Sequence, residues 1–72
     1  MSEKRYYQDG DDKNLIVRVW YEGGKCRGEF FGFKNKKWHE ADDLAWDIAT
    51  DIYNNHPLGV DKVEEITGVK PE

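Results

Sequence analysis

The sequence predicts an α+β domain: a small antiparallel β-meander of three or four strands with one α-helix packed on one face, ordered β-β-β-α and followed by a short strand or helix. Three observations carry this. Residues 15–22 (LIVRVWYE) are β-branched and aromatic, as in a strand, and the pair Gly23-Gly24 follows them. Residues 25–33 supply a return strand. From Asp42 onward the apolar residues switch to helical spacing.

The elements follow in chain order within a single domain, 1–72. Residues 1–14 are an N-terminal segment and loop: 5–8 have the composition of a short edge strand, and 8–14 are rich in Asp and Gly. Residues 15–40 form the meander. A two-residue Gly-Gly turn accepts positive φ angles and sets Glu22 opposite Lys25. The pairs then run Tyr21–Cys26, Val19–Gly28 and Val17–Phe30 on one face, which reads as core. Trp20–Arg27, Arg18–Glu29 and Ile16–Phe31 lie on the other, as a cation–π contact, an ion pair and an apolar pair. Residues 34–37 (KNKK) make a basic turn into a third strand over 38–40. If that turn is tight, Trp38 faces Phe33. Gly28 and Gly32 on the core face leave room for a helix.

The helix is predicted over 42–55. Asp42 and Asp43 suit its N-terminal end, and Leu44, Ala45, Ile48, Ala49 and Ile52 form the stripe that meets the sheet. Residues 60–69 fit either a short helix, with Asp61 and Glu64 as a capping box and Gly68 as its stop, or a final strand carrying Val63 and Ile66. The strand is preferred because so short a helix nucleates poorly alone.

Composition bounds the function. A single cysteine, Cys26, excludes an internal disulfide and argues against an oxidising compartment. The N-terminus lacks the apolar core of a signal peptide, and the longest apolar stretch falls far short of a membrane span, so a cytoplasmic location is expected. Ten aromatic residues can build a small core without a staple.

Catalytic and ligand patterns are missing. Cys26 points into the core under the hairpin register, where thiols are usually inert. His39, His56 and Cys26 lack metal-ligand spacing. Asp9, Asp11, Asp12 and Asn14 imitate the start of a calcium loop, but Gly10 is misplaced and no closing Glu follows. No glycine-rich phosphate cradle precedes a helix. The expectation is a non-enzymatic protein with no cofactor and no metal.

Charge is lopsided. Residues 1–39 hold nine Lys or Arg against six Asp or Glu, whereas 40–72 hold two against nine. Asp43, Asp47 and Asp51 recur every four residues and line one helix edge at a spacing of roughly 6 Å, with Glu40 near its start. Like charges at this spacing destabilise a helix, so an unbroken acidic row suggests presentation of charge to a basic partner. The spacing approaches that of successive phosphates, which makes imitation of a nucleic-acid backbone one form of the idea.

The second candidate surface is the outer sheet face, with Ile16, Trp20, Phe31, Phe33 and Trp38 rimmed by Arg18, Arg27 and the lysines of the basic turn. Uncovered, it would serve a protein partner or a homodimer; aromatics interleaved with cations also suit single-stranded nucleic acid. Burial by the N-terminal segment or the tail would remove it.

A compact acidic domain of this layout resembles small phage proteins that bind and inhibit host enzymes, a likeness of size and arrangement rather than of motif. The functional expectation is a protein-interaction module, an inhibitor or adaptor, binding a basic or nucleic-acid-binding protein through Asp43, Asp47, Asp51 and Glu40 and through the sheet face. The alternatives are a single-strand nucleic-acid binder using the sheet face and a structural homo-oligomer subunit. No membrane partner is expected.

Overall fold

A computed structural model describes residues 3–71. Seven elements follow one another: β1 (Arg5–Asp9), β2 (Ile16–Glu22), β3 (Lys25–Gly32), β4 (Lys37–Glu40), α1 (Asp42–Thr50), β5 (Asn55–Leu58) and α2 (Val60–Thr67). The strands make one antiparallel sheet ordered β4-β3-β2-β1-β5. The fold is therefore α+β with a meander, as expected, but with five strands and two helices.

The β2–β3 hairpin has the expected register from Glu22↔Lys25 through Val17↔Phe30. Gly23 and Gly24 both take positive φ (57° and 79°), which glycine adopts without strain and which matches the twist of the strands. Val17, Val19, Ala45 and Ile48 form the buried core between the hairpin and α1, with Leu15, Phe30, Trp46 and Ala49 packed around it. At Gly28 a Cβ would stand 2.5 Å from the Cβ of Ala45, so the helix crosses the sheet where a side chain is missing. Gly32 serves a different purpose from the one expected: the ring of His39, not the helix, fills its space.

The β3–β4 turn is wider than a tight turn. Phe31 pairs with Trp38 and Gly32 with Lys37, leaving 33–36 as the connection with Lys36 at φ 55°. Trp38 accordingly lies opposite Phe31 rather than Phe33. Beyond the end of β4, Ala41 N–H donates to Gly28 O (3.0 Å), and Gly28 N–H donates to Asp42 Oδ1 (2.8 Å). Asp42 thus ties the helix start to β3 instead of capping the helix, and Trp46 Nε1 adds a bond to Arg27 O at 2.8 Å.

α1 stops at Thr50, five residues before the expected end at Asn55. Asx and hydroxyl side chains compete for the backbone here. Thr50 Oγ1 donates to Trp46 O, Asn55 Nδ2 donates to Ala49 O, and Asp51 Oδ1 accepts from Tyr53 N–H. Ile52, assigned to the helical stripe, falls outside the helix. The released segment returns as β5, which sits against β1 with Tyr6↔Leu58 and Tyr7↔Pro57. Pro57 suits such an edge because it has no N–H to leave unpaired.

The tail is a helix, against the preference for a strand. Gly59 is its N-cap without any side-chain cap bond, so the Asp61–Glu64 box does not form, whereas Gly68 ends it at φ 76° as expected. Tertiary burial replaces local nucleation: Val63 and Thr67 are fully buried, and Lys36 Nζ donates to Thr67 O at 3.2 Å. The sheet face turned away from α1 also hides Tyr6, Ile16 and Phe31. These two buried sets account for each other. α2 starts beside the β5 edge and ends at the β3–β4 turn near the opposite edge, so it runs across the sheet on the face that α1 leaves free.

Candidate functional site

The acidic edge belongs to α1. Its amphipathic pattern buries Ala45 and Ile48 and turns Asp43, Asp47 and Asp51 to solvent. Asp43 and Asp47 form no ion pair with any described residue, and the last turn holds no cation to offset the negative end of the helix dipole. Asp51 is the C-cap residue, with its carboxylate engaged by Tyr53 N–H at 3.3 Å. Glu40 is different: it accepts from Arg27 Nη2 at 3.2 Å and is partly neutralised. Arg27 Nε lies 3.7 Å from Asp42 Oδ1, an ionic contact rather than a hydrogen bond.

Apolar surface adjoins the acids. Leu44 beside Asp43 is exposed, and Ile52 and Tyr53 directly after Asp51 are 77% and 94% exposed. The acidic row therefore runs between apolar positions at both ends of α1.

The second candidate surface is closed for much of its extent. Ile16 and Phe31 retain 0% and 2% of their accessible surface and Arg18 is buried, so none of the three is open to a partner. Only partial exposure remains at Trp20, Phe33, Trp38 and Arg27. The physical reason is the helical tail: α2 docks where an uncovered sheet was expected. Even the ring faces are occupied from within, since Arg18 stands 4.3 Å from the Trp38 centroid and Lys4 Nζ 4.9 Å from that of Trp20. Phe31 meets Phe33 and Trp38 edge-on at 5.0 and 5.2 Å. Of this set, the lysines of the 34–37 turn are exposed, although Lys36 is held by Thr67 O.

Cys26 is exposed, contrary to the expectation of a core thiol. The register is right, but the cover of α1 reaches only as far as Trp46 on Tyr21 and Arg27 O, and Cys26 beside the turn stays in solvent. The aspartate loop is an Asx turn, with Asn14 N–H donating to Asp12 Oδ1, while Asp11 accepts from Asn54 Nδ2 at 2.7 Å. Among the described residues no three His, Cys, Asp or Glu side chains gather as metal ligands, and no helix is long and apolar enough to cross a membrane.

No family model, curated protein or solved structure matches the chain.

Two surface features escape the sequence reading. One is a cleft of about 470 Å³ between α1 and β1–β2, walled by Tyr7, Val19, Tyr21 and Trp46 with Arg5 at its margin. The Tyr21 and Trp46 rings meet there at 5.2 Å. Its origin is a helix lying over β2 and β3 more than over β1, which strand composition does not reveal. The other is the Ile52–Tyr53 tip, hidden by extending the helix five residues too far. The run TDIYNN, poor in helix formers, was its available signal.

Proposed function

We propose that this chain is a non-enzymatic protein-interaction module, an inhibitor or adaptor, that engages the basic surface of a protein partner through the acidic edge of α1. One observation carries the reading: Asp43 and Asp47 stand in solvent with no cationic partner among the described residues, on a helix whose last turn has no basic residue. A helix selected only for stability would intersperse cations, because like charges four residues apart and acids at the C-terminal end both destabilise. Glu40 contributes less, being paired with Arg27. A nucleic-acid-binding protein is one such basic partner.

The sheet-face alternatives, single-stranded nucleic acid and homo-oligomer, have less support, since Ile16 and Phe31 lie under α2 and the Trp38 ring already carries Arg18. The test is affinity capture from lysate of the source cell at low and high salt. A basic protein retained by the native chain, released by added salt and lost on Asp47→Lys with Asp51→Lys is the expected outcome. Retention that ignores both salt and these substitutions overturns it.

A further inference from the structure

Ile52 and Tyr53 are the most exposed large apolar side chains among the described residues and are neighbours in the chain, at the tip of the connection between α1 and β5. This connection is not slack. Asn54 and Asn55 N–H both donate to Asp51 O (3.1 and 2.9 Å), and Tyr53 N–H donates to Asp51 Oδ1. A second segment braces it: Gly10 N–H donates to Asn54 O at 2.6 Å, and Asn54 Nδ2 donates to Asp11 Oδ2 at 2.7 Å. The bracing is close enough that any side chain at Gly10 would collide with Asn54. Bonds from two parts of the chain thus hold an isoleucine and a tyrosine in water, where they contribute nothing to the core.

A rigid apolar pair loses little conformational entropy on binding, and an aromatic anchor ringed by polar groups is the usual centre of a protein interface. The charge here is predominantly of one sign. Residues 9–13 and 47–56, the two segments that meet at the tip, contain five aspartates against one cation, Lys13. Anionic lipid and nucleic acid would be repelled.

We infer that Ile52 and Tyr53 are the anchor of this interface, a preformed apolar plug for a pocket on a protein partner whose rim carries lysine or arginine. The inference rests on the proposed function and adds to it the part that sets the lifetime of the complex, the aspartates governing the encounter.

The test pans a random twelve-residue peptide display library on the full chain. Selected peptides are then titrated by fluorescence anisotropy, at low and high salt, against the native chain, Ile52→Ser with Tyr53→Ser, and Asp47→Asn with Asp51→Asn. Both positions are exposed, so the tip variant keeps the native thermal melt, and Tyr53→Phe keeps binding. The expected peptides combine an apolar side chain with Lys or Arg. Their affinity falls roughly 30-fold or more in the tip variant, as for an interface hot spot, and several-fold in the aspartate variant.

Full affinity in the tip variant with loss in the aspartate variant overturns the anchor and leaves the acidic edge standing. Loss in the tip variant without any effect of salt or of the aspartates overturns the acidic edge and the cationic rim. Selection of no peptide overturns the plug. So does a doubled sedimentation mass that the tip variant returns to monomer, which identifies a second copy as the occupant.

Discussion

Arg18 and Glu29 face one another across β2 and β3 and share a single oxygen: Arg18 Nε and Nη2 approach Glu29 Oε1 at 2.7 and 2.6 Å. The guanidinium lies over Trp38, and Arg18 is buried. Removing one member of a pair whose arginine is buried leaves an uncompensated charge, which costs more than the pair itself contributes. Because Glu29 is only partly buried, Glu29→Gln should lower unfolding free energy by about 1–2 kcal/mol, less than for a fully buried pair, read as a shifted urea midpoint with unchanged slope. Arg18→Met combined with Glu29→Leu should recover most of that loss, because both charges are then gone.

The close approach at Gly28 gives a packing test. A Cβ there would meet the Ala45 Cβ at 2.5 Å and Asp42 O at 3.3 Å, neither of which is the movable end of a flexible side chain. Gly28→Ala should destabilise by about 1–3 kcal/mol through overpacking. Thermal melts should show Ala45→Gly in the same chain recovering part of the loss despite the poor helix propensity of glycine.

The acidic edge can be separated into function and stability. Asp47→Lys removes like-charge contacts with Asp43 and Asp51 and puts a cation in the last turn of α1. The chain should become more stable by about 0.5 kcal/mol, while capture of the proposed basic partner is lost. A substitution that weakens both would mean that Asp47 holds the fold together.

Legibility in the sequence followed how local the deciding physics is. The β2–β3 register could be read residue by residue because Gly23-Gly24 permits one kind of turn and the pairs it dictates agree in polarity. The start of α1 was legible, as were Ala45, Ile48 and Ala49 on its inward face, whereas Leu44 and Ile52 of the expected stripe are exposed. Three features depended on distant parts of the chain and were not legible. The tail is helical because Val63 and Thr67 find a sheet face to bury against, and that same docking closed the face with Ile16 and Phe31. β5 exists because β1 offers an edge. Thr50 ends α1 through side-chain bonds that helical periodicity does not register. The acidic row was visible because it needs only helix geometry, while the tip beside it appears once the helix end is placed correctly.

Cys26 offers a direct check on where the cover of α1 ends. It pairs with Tyr21 on the same sheet face as Val19, yet it is exposed at the hairpin tip. Ellman's reagent should modify this thiol in the native protein without denaturant, at a rate close to that of an unhindered cysteine. Protection until unfolding would place the hairpin tip under a cover that the structure does not show.

The docking of α2 makes the last prediction, and it joins stability to the surface available for binding. Val63 is fully buried, and Lys36 reaches from the β3–β4 turn to Thr67 O at the end of the helix. Val63→Asp would bury an unpaired carboxylate, at a cost of roughly 3 kcal/mol or more. Since α2 is a short helix of eight residues, it should leave the sheet rather than carry that charge inside. The face holding Tyr6, Ile16 and Phe31 would then open, with an apolar dye binding the native-like state and Trp38 emission moving to the red. Hydrogen exchange should show lost protection in α2 while the β2–β3 amides and the α1 edge keep theirs. Binding of the proposed basic partner should survive in this variant, because Asp43, Asp47 and the Ile52–Tyr53 tip are not on the face that α2 covers.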